Sequence, residues 1–359
     1  MPEIIAQFSI QYVQIINEHG ALCAQLPTFA NNTQWLTTIY RIMHLTRCFD
    51  EKAIALQRMG KLGTYAPCRG QEAIGAAIGH MLRPEDIFIP YYRDYAALAQ
   101  RKVKWSEILS YWGGDERGNQ FMHNAQDLPF SVPIASQCLH AAGIAFALQY
   151  RQEPRIALVS LGDGGTSEGD FYEAINIAGI WNLPLVFVIN NNQWAISVPL
   201  QSQTKAATLA QKAIAAGFEG IQVDGNDPLA MSQVLDMAIN KARNGNGPTL
   251  IEAISYRLSN HTTADDATRY QPQHEVRVAT QREPIRRFKH FLEQHIQWTD
   301  AQEKTLLQEC EQIIENEITE YLSKPPQALS SIFDYHFADM PENFIEQRAT
   351  VLEASSCLS

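Results

Sequence analysis

The sequence is poor in basic residues. Its 359 residues include 28 lysines and arginines against 39 aspartates and glutamates, which gives a formal net charge of −11. A broad surface for nucleic acid or anionic lipid is therefore not expected, and an anionic ligand must be held by a local site. The first lysine or arginine is Arg41, so the early positive charge of a signal or transit peptide is missing. We expect a cytoplasmic protein with neither nucleic acid nor a membrane among its partners.

Cysteine pairs and long apolar runs are missing as well. The six cysteines stand apart in the chain, without a CxxC pair, at positions Cys23, Cys48, Cys68, Cys138, Cys310 and Cys357. A chain of this length does not need disulfides for stability, so we expect free thiols. Apolar runs such as residues 185–189 fall far short of the roughly 20 residues that cross a bilayer.

The sequence does contain a regular alternation of helical and strand patterns. Apolar spacing predicts helices over residues 33–59, 71–81, 136–150 and 228–243, and further helices after residue 282. Short apolar runs predict strands over residues 87–90, 155–161, 185–190, 219–223 and 249–256. This alternation indicates an α/β fold with a mostly parallel, doubly wound sheet. We expect a single domain over residues 1–359, with a core at about 60–270 and helical extensions at 1–59 and 271–359.

Polar turns follow the predicted strands. Asp163 ends one strand in a Gly-Asp-Gly-Gly turn, Asn192 follows the next strand, and residues 224–227 follow a third. Ligands of such sheets bind outside the carboxyl ends of the strands, so we expect these turns to lie close together. A carboxylate, an amide oxygen and a backbone carbonyl suit Mg²⁺. Gly164 and Gly165 allow close backbone approach, and the helix expected after Ser167 offers free N–H groups to a phosphate.

These elements taken singly are weak signals. A Gly-Asp-Gly turn or an Asn triplet is more often a plain loop than a metal site, and the joint spacing is what favours a magnesium–diphosphate site. The sequence has neither the G-x-G-x-x-G nor the G-x-x-x-x-G-K-[ST] phosphate motif, which disfavours a nicotinamide or P-loop protein. A non-catalytic Mg²⁺–nucleotide binding protein stays open.

The two turns belong to a longer recognisable pattern. The stretch GDGGTSEGDFYEAIN, followed by NNQWAIS, resembles the thiamine diphosphate signature, a GDG followed about thirty residues later by NN. Its form is similar to the alpha subunit of the decarboxylating component of 2-oxo acid dehydrogenase complexes, of the pyruvate or branched-chain type. Further motifs occur in the family's order at residues 60–73, 90–94, 133–137 and 256–270. The resemblance covers most of the chain and implies a thiamine diphosphate-binding fold.

The resemblance also implies roles for individual residues. It assigns Mg²⁺ coordination to the side chains of Asp163 and Asn192 and the backbone carbonyl of Trp194. It assigns cofactor contacts to Tyr92, Arg93, Ile134, Gly164, Gly165 and His261. His261 is the expected catalytic residue, which either orients the ligand or transfers protons. Without the resemblance, Arg93 could form a surface ion pair with Asp94, and Ile134 is expected in the core in any case; His123 and His140 are weaker candidates.

The implied reaction is the oxidative decarboxylation of pyruvate or a branched-chain 2-oxo acid, with acyl transfer to the lipoyl group of an acyltransferase component. An acetoin dehydrogenase alpha subunit and a self-sufficient thiamine enzyme are the alternatives. The expected partner is a beta subunit, in an α2β2 heterotetramer, that supplies the carboxylate which activates the cofactor. Glu72 is the nearest local substitute, but we expect it to be structural.

Asn190 and Val132 depart from some relatives, so one diphosphate contact is expected to be absent or replaced. Thr262 stands where regulated relatives have a phosphorylated serine, so kinase control is not expected.

Overall fold

The computed structural model describes residues 2–124, 126–130 and 132–356. Its strands are β1 (Gln11–Val13), β2 (Ile87–Ile89), β3 (Ala157–Gly162), β4 (Leu185–Asn191), β5 (Trp194–Ala195), β6 (Val198–Pro199), β7 (Glu219–Asp224) and β8 (Thr249–Ile254). Six of them form one sheet in the order β1-β7-β8-β4-β3-β2, and every pairing in it is parallel. The strands β5 and β6 form a separate antiparallel pair. The predicted parallel sheet is confirmed.

Helices cover both faces of this sheet. They are α1 (Thr33–Arg58), α2 (Glu72–Met81), α3 (Tyr95–Gln100), α4 (Trp105–Trp112), α5 (Ser136–Tyr150), α6 (Gly169–Ile180), α7 (Leu200–Gln203), α8 (Lys212–Ala215), α9 (Pro228–Arg243), α10 (Gln273–Gln281), α11 (Pro284–Ile296), α12 (Asp300–Ser323), α13 (Ser331–Asp334) and α14 (Glu342–Ser356). The predicted helices are found within one residue of their expected ends. No helix among the described residues is long and apolar enough to cross a membrane.

Alternate residues of the central strands enter two separate cores. In β4, Val186 and Val188 join the core beneath α1, α2 and α9, whereas Leu185, Phe187 and Ile189 join the core beneath α5 and α6. Side chains of a strand point alternately to opposite faces, so a strand that is covered on both sides reads as a continuous apolar run. This is why the runs in β3 and β4 predicted the sheet correctly.

The N-terminal segment differs from the helical extension that was expected. Its strand β1 adds an edge to the sheet by pairing with β7, with Gln11 opposite Ile221 and Val13 opposite Val223. The three residues of β1 show no apolar alternation, so the sequence gives no strand signal. They form a strand because their backbone pairs with β7. Helix α1 begins as predicted at Thr33, where the Asn32 side chain accepts the backbone N–H groups of Gln34 and Trp35.

The cysteines agree with the sequence. Cys23, Cys48, Cys68, Cys138 and Cys310 are free thiols in the structure, and Cys357 lies outside the described residues.

Candidate active site

A cleft opens at the carboxyl ends of β3 and β4. It is lined by Tyr91, Tyr92, Arg93, Ile134, Ala135, Gln137, Leu161, Gly162, Asp163, Gly164, Gly165, Glu168, Asn192, Trp194, Ala195, Ile196 and His261. All nine of the site residues suggested by the sequence lie along this one cleft. They come from segments up to 169 positions apart in the chain, so the fold is what brings them together.

Asp163 is the buried carboxylate of the cleft. Burial raises the pKa of the Asp163 carboxyl to about 6, and hydrogen bonds from the Gln203 amide and from backbone N–H groups oppose that rise. Gln203 Nε2 donates to Asp163 Oδ2 at 3.0 Å. No lysine, arginine or histidine of the described residues forms an ion pair with it. A buried carboxylate without a cation is costly, so Asp163 is suited to bind an added positive charge.

Asn192 lies beside it with its amide held at both ends. Its Nδ2 donates to Gln71 Oε1 at 3.1 Å, and its Oδ1 accepts the Trp194 backbone N–H at 3.2 Å. The Trp194 carbonyl accepts a long hydrogen bond from Arg257 Nη1 at 3.4 Å. The cleft therefore brings one carboxylate, one amide oxygen and one nearby carbonyl together, as the sequence suggested.

The three consecutive asparagines make two different sets of contacts, because successive side chains point in opposite directions along β4. Asn190 and Asn192 both donate to Gln71 Oε1, at 3.0 and 3.1 Å, whereas Asn191 donates to Glu252 Oε1 at 2.7 Å. Asn190 itself is buried beneath the cleft, where its Oδ1 accepts from Ser255 Oγ at 2.8 Å. Its side chain is thus engaged inside the protein, which fits the expectation that one diphosphate contact is absent or replaced.

A glycine turn forms part of the cleft wall directly before helix α6. Residues Asp163–Ser167 form a 3-10 turn, and α6 begins only at Gly169. The helix thus begins two residues after Ser167, and its N-cap residue Glu168 lines the cleft together with Gly164 and Gly165. A Cβ on Gly164 would lie 2.7 Å from the Cβ of Ala195, so only glycine fits where the two loops meet.

Arg93 and His261 form a pair on another wall of the cleft. Arg93 Nη2 donates to the His261 carbonyl at 2.7 Å and contacts His261 Nδ1 at 3.0 Å. The guanidinium carbon lies 5.0 Å from the centre of the Tyr92 ring. Arg93 is buried, and the alternative of a surface ion pair is wrong. Asp94 instead accepts hydrogen bonds from the Tyr91 backbone and from Ser160.

The Arg93 contact defines the proton position on His261. A guanidinium can only donate, so Nδ1 must accept and the proton must reside on Nε2. Burial, together with the charges of Arg93 and Arg257, lowers the pKa of His261 to about 3. His261 is thus neutral near pH 7 and offers one N–H donor.

Two expectations about other residues are corrected, and two weaker candidates lie outside the cleft. Ile134 is not a core residue: 48% of its surface is exposed at the rim of the cleft, because the chain turns sharply at Ala135, which has a φ of 65°. His123 and His140 are exposed and do not line the cleft. The turn at residues 224–227 also lies away from the cleft, since β8 separates β7 from β4.

Several residues that the sequence analysis did not single out belong to the site. Gln203 hydrogen-bonds Asp163, Gln137 donates to the Ser160 carbonyl at 3.0 Å beside the cleft, and Glu168 places a carboxylate at the exposed rim. Gln137 lies in the 133–137 motif, which could have drawn attention to it. Nothing in the local sequence marks Gln203, which reaches the cleft from helix α7.

Comparison with known proteins identifies the family. The model of the dehydrogenase E1 component family matches residues 40–330. Three proteins named pyruvate dehydrogenase E1 component subunit alpha are similar over nearly their whole lengths. The protein from Staphylococcus aureus is 39% identical over 98% of this chain and 95% of its own. The one from Bacillus cereus is 38% identical over 99% and 96%, and the one from Mycoplasma genitalium is 36% identical over 93% and 94%. The chain belongs to the dehydrogenase E1 component family.

Proposed function

We propose that this chain is the alpha subunit of a thiamine diphosphate-dependent pyruvate dehydrogenase, the E1 component of a 2-oxo acid dehydrogenase complex. The observation that carries the proposal is the convergence of all nine residues implied by the resemblance on one cleft. The relatives named above support pyruvate as the substrate. When bound, thiamine diphosphate would supply the electron sink for decarboxylation, and the protein would bind and orient it.

Magnesium fits one part of the cleft. Asp163 would provide the charged ligand, Asn192 its amide oxygen and Trp194 its backbone carbonyl, which are oxygen ligands of the kind Mg²⁺ prefers. No group of three or more His, Cys, Asp or Glu side chains that could hold a metal ion occurs among the described residues. A cation held here would therefore complete its coordination with phosphate oxygens and water, as Mg²⁺ commonly does.

The diphosphate fits the part of the cleft that Arg93 and His261 line. Arg93 is buried without a carboxylate partner among the described residues, so its charge is available to an anion. Arg93 Nη2 already contacts His261, and the Nε2–H of His261 adds a further hydrogen-bond donor. The backbone of Gly164 and Gly165 lines the same cleft. Charge-assisted donors of this kind are the usual ligands of phosphate groups.

His261 would orient rather than relay protons. A group with a pKa near 3 is a weak base near neutral pH, so it takes up a proton poorly there. Its fixed Nε2–H is well suited to hold an oxygen of the diphosphate or of the substrate. Asp265 Oδ2 accepts the His261 backbone N–H at 2.7 Å and fixes the loop that carries it.

A second chain is needed to complete the site. Glu72, the local candidate for the activating carboxylate, is 1% exposed, and its oxygens accept from Arg47 Nε at 2.6 Å and from the Gly70 N–H at 2.9 Å. It is committed to the protein interior and does not line the cleft. Glu168 is at the rim of the cleft and is the remaining local candidate. We propose that a beta subunit provides the activating glutamate instead, most simply in an α2β2 heterotetramer.

An apolar surface on α5 and α6, outside the cleft lining, is suited to such a partner. The exposed apolar side chains of α5 and α6 include Leu139, Phe146, Tyr150, Ile180 and Trp181. The rings of Phe146 and Trp181 lie 5.0 Å apart, so the two helices form one continuous surface. The small residues Ala141, Ala142 and Ala145 are buried within this chain and do not contribute to it. A contiguous apolar surface of this kind is typical of a protein interface.

The proposal extends to the later steps and to the cell. The acyl group would pass to the lipoyl group of an acyltransferase component, and the free cysteines suit a reducing cytoplasm. Branched-chain 2-oxo acids and acetoin remain alternative substrates, because a methylene or two changes binding in a pocket by only about 1–3 kcal/mol. A single domain remains the proposed organisation, with helices after the core and with an N-terminal segment that adds both strand β1 and helix α1.

The test is a decarboxylation assay with an artificial electron acceptor. The purified chain is assayed with and without its beta chain, in the presence of Mg²⁺ and thiamine diphosphate, on pyruvate and on 3-methyl-2-oxobutanoate. We expect turnover only with the partner, and faster turnover of pyruvate. Full activity of the isolated chain would contradict the two-subunit proposal, and in that case Glu168→Gln would show whether Glu168 is the activating group.

A further inference from the structure

Gln71 lies beneath the cleft and contacts the candidate metal ligand Asn192. It is 3% exposed and immediately precedes α2, so its position is fixed by the fold. Its Oε1 accepts from Asn192 Nδ2 at 3.1 Å and from Asn190 Nδ2 at 3.0 Å, and it lies 3.4 Å from the Tyr91 hydroxyl. One side-chain oxygen thus gathers donors from β4, from the residue that follows β4, and from the loop after β2.

This arrangement matters because an asparagine amide has two different ends. Asn192 can serve a cation only if Oδ1 faces it, and rotation by 180° would present the NH₂ group instead. Rotation would also bring Asn192 Oδ1 against Gln71 Oε1, two acceptors that cannot hydrogen-bond each other. Gln71 therefore favours the orientation in which Asn192 directs its oxygen away from Gln71.

The orientation of Gln71 is determined in turn by its neighbours. Asn190 Nδ2 donates to both Gln71 Oε1 and the Tyr91 hydroxyl, the latter at 2.8 Å, while Asn190 Oδ1 is occupied by Ser255 Oγ. A rotated Gln71 would place its NH₂ group against the NH₂ groups of Asn190 and Asn192. From Ser255 to Asn192, each donor in this network thus faces an acceptor, and the amide orientations support one another.

The network also carries a cost. Gln71 Nε2 is buried and has no hydrogen-bond partner among the described residues. An unsatisfied buried donor destabilises the folded state, so stability alone does not account for a glutamine at this place.

We propose that Gln71 is a positioning residue that holds the Asn192 oxygen toward the bound Mg²⁺. The inference rests on the proposed function, since it needs Asn192 to be a ligand. Gln71 does not line the cleft, so it acts through Asn192 and not by contact with the cofactor.

The experiment measures Mg²⁺ affinity by calorimetric titration of the holoenzyme at saturating thiamine diphosphate. Gln71→Met keeps the size of the side chain and removes the acceptor, and Gln71→Glu restores an acceptor oxygen. The matched control is Gln100→Met, because Gln100 Nε2 donates to the Ala76 carbonyl of α2 at 2.8 Å away from the cleft. We expect Gln71→Met to weaken Mg²⁺ binding at least about tenfold, Gln71→Glu to recover most of it, and the control to leave it unchanged.

A double-mutant cycle separates positioning from general damage. In the Asn192→Ala background, Gln71→Met should cause no further loss of Mg²⁺ affinity, because the side chain that it positions is gone. Additive losses, unchanged affinity in Gln71→Met, or an equal loss in Gln100→Met would overturn the inference while the proposed function stands. If the wild-type holoenzyme shows no Mg²⁺-dependent binding at all, both the proposed function and the inference about Gln71 have failed.

Discussion

Two acidic turns follow strands of the same parallel sheet, and their carboxylates are used in different ways. Asp227, after β7, accepts the backbone N–H groups of Ile15 and Ile16 at 2.7 Å, and those of Leu229 and Ala230 at 3.0 and 3.1 Å. It joins the N-terminal segment to the start of α9. Both of its oxygens are fully used within the chain.

Asp163, after β3, is buried to the same degree but remains incompletely satisfied. The side-chain donor on it is the Gln203 amide, and it lines an open cleft beside Asn192. Burial raises the pKa of Asp163 and of Asp227 alike, in both cases to about 6. The pKa therefore does not separate the two roles. The two carboxylates differ instead in the number of hydrogen-bond donors that the chain provides and in their access to a cleft. These two features distinguish a structural carboxylate from a candidate metal ligand.

The largest expected effect is on cofactor binding in Asp163→Ala. Removal of the charged ligand should reduce Mg²⁺-dependent binding of thiamine diphosphate by more than about a hundredfold, which corresponds to roughly 3 kcal/mol. Asn192→Ala removes a neutral ligand and should weaken binding less. Calorimetric titration of the holoenzyme measures both, and unchanged affinity in Asp163→Ala would falsify the site assignment.

Asp227→Ala should have the opposite profile. It leaves four backbone N–H groups without their acceptor, and we expect the free energy of unfolding to fall by about 2–4 kcal/mol. Cofactor affinity of the remaining folded protein should be unchanged. Urea unfolding together with the same titration tests this, and a selective loss of Mg²⁺ affinity would mean that the two turns have been assigned the wrong way round.

Arg93→Ala and His261→Ala test the diphosphate wall. A charge-assisted hydrogen bond contributes about 1.5–3 kcal/mol, so each change should raise the dissociation constant of the cofactor by roughly 10- to 100-fold. Thermal melts without cofactor provide the control. If stability falls in proportion to affinity in both variants, the two residues are structural and resemble Asp227 more than Asp163.

A smaller effect is expected from pH. The pKa of Asp163 is raised to about 6, and the cation requires the ionised form, so Mg²⁺ affinity should increase as pH rises through 6. Titration at pH 5.5 should show roughly fourfold weaker binding than at pH 7, as the ionised fraction predicts. Asp163→Asn should lose this component of the pH dependence. Without the cation, the same raised pKa means that ionising Asp163 costs folding free energy, so Asp163→Asn should be more stable than the wild type at pH 7.

The sequence predicted the parts of this comparison that depend on local patterns. The apolar runs of β3 and β4 and the polar turns that follow them give both the sheet and the position of Asp163 and Asn192. Local patterns did not distinguish Asp163 from Asp227, which only the family resemblance did, because donors of Asp227 come from Ile15 and Ile16, more than two hundred positions earlier. A fully satisfied carboxylate and an incompletely satisfied one look alike until long-range contacts are known.

The same reason explains the other elements that were missed. β1 exists because its backbone pairs with β7, and its own residues carry no alternating pattern. Gln203 reaches Asp163 from 40 positions away, and Gln71 reaches Asn192 from 121 positions away. Ile134 is exposed because the chain turns at Ala135, which an apolar side chain alone does not reveal.

Anomalous diffraction from crystals of the enzyme grown with Mn²⁺ and thiamine diphosphate tests the central claim most directly, because Mn²⁺ replaces Mg²⁺ at oxygen sites and its position can be located. The account predicts one strong peak within coordination distance of Asp163, Asn192 and the Trp194 carbonyl, with the diphosphate between the metal and Arg93. A peak at Asp224 or Asp227, or bound thiamine diphosphate without metal at Asp163, would contradict it.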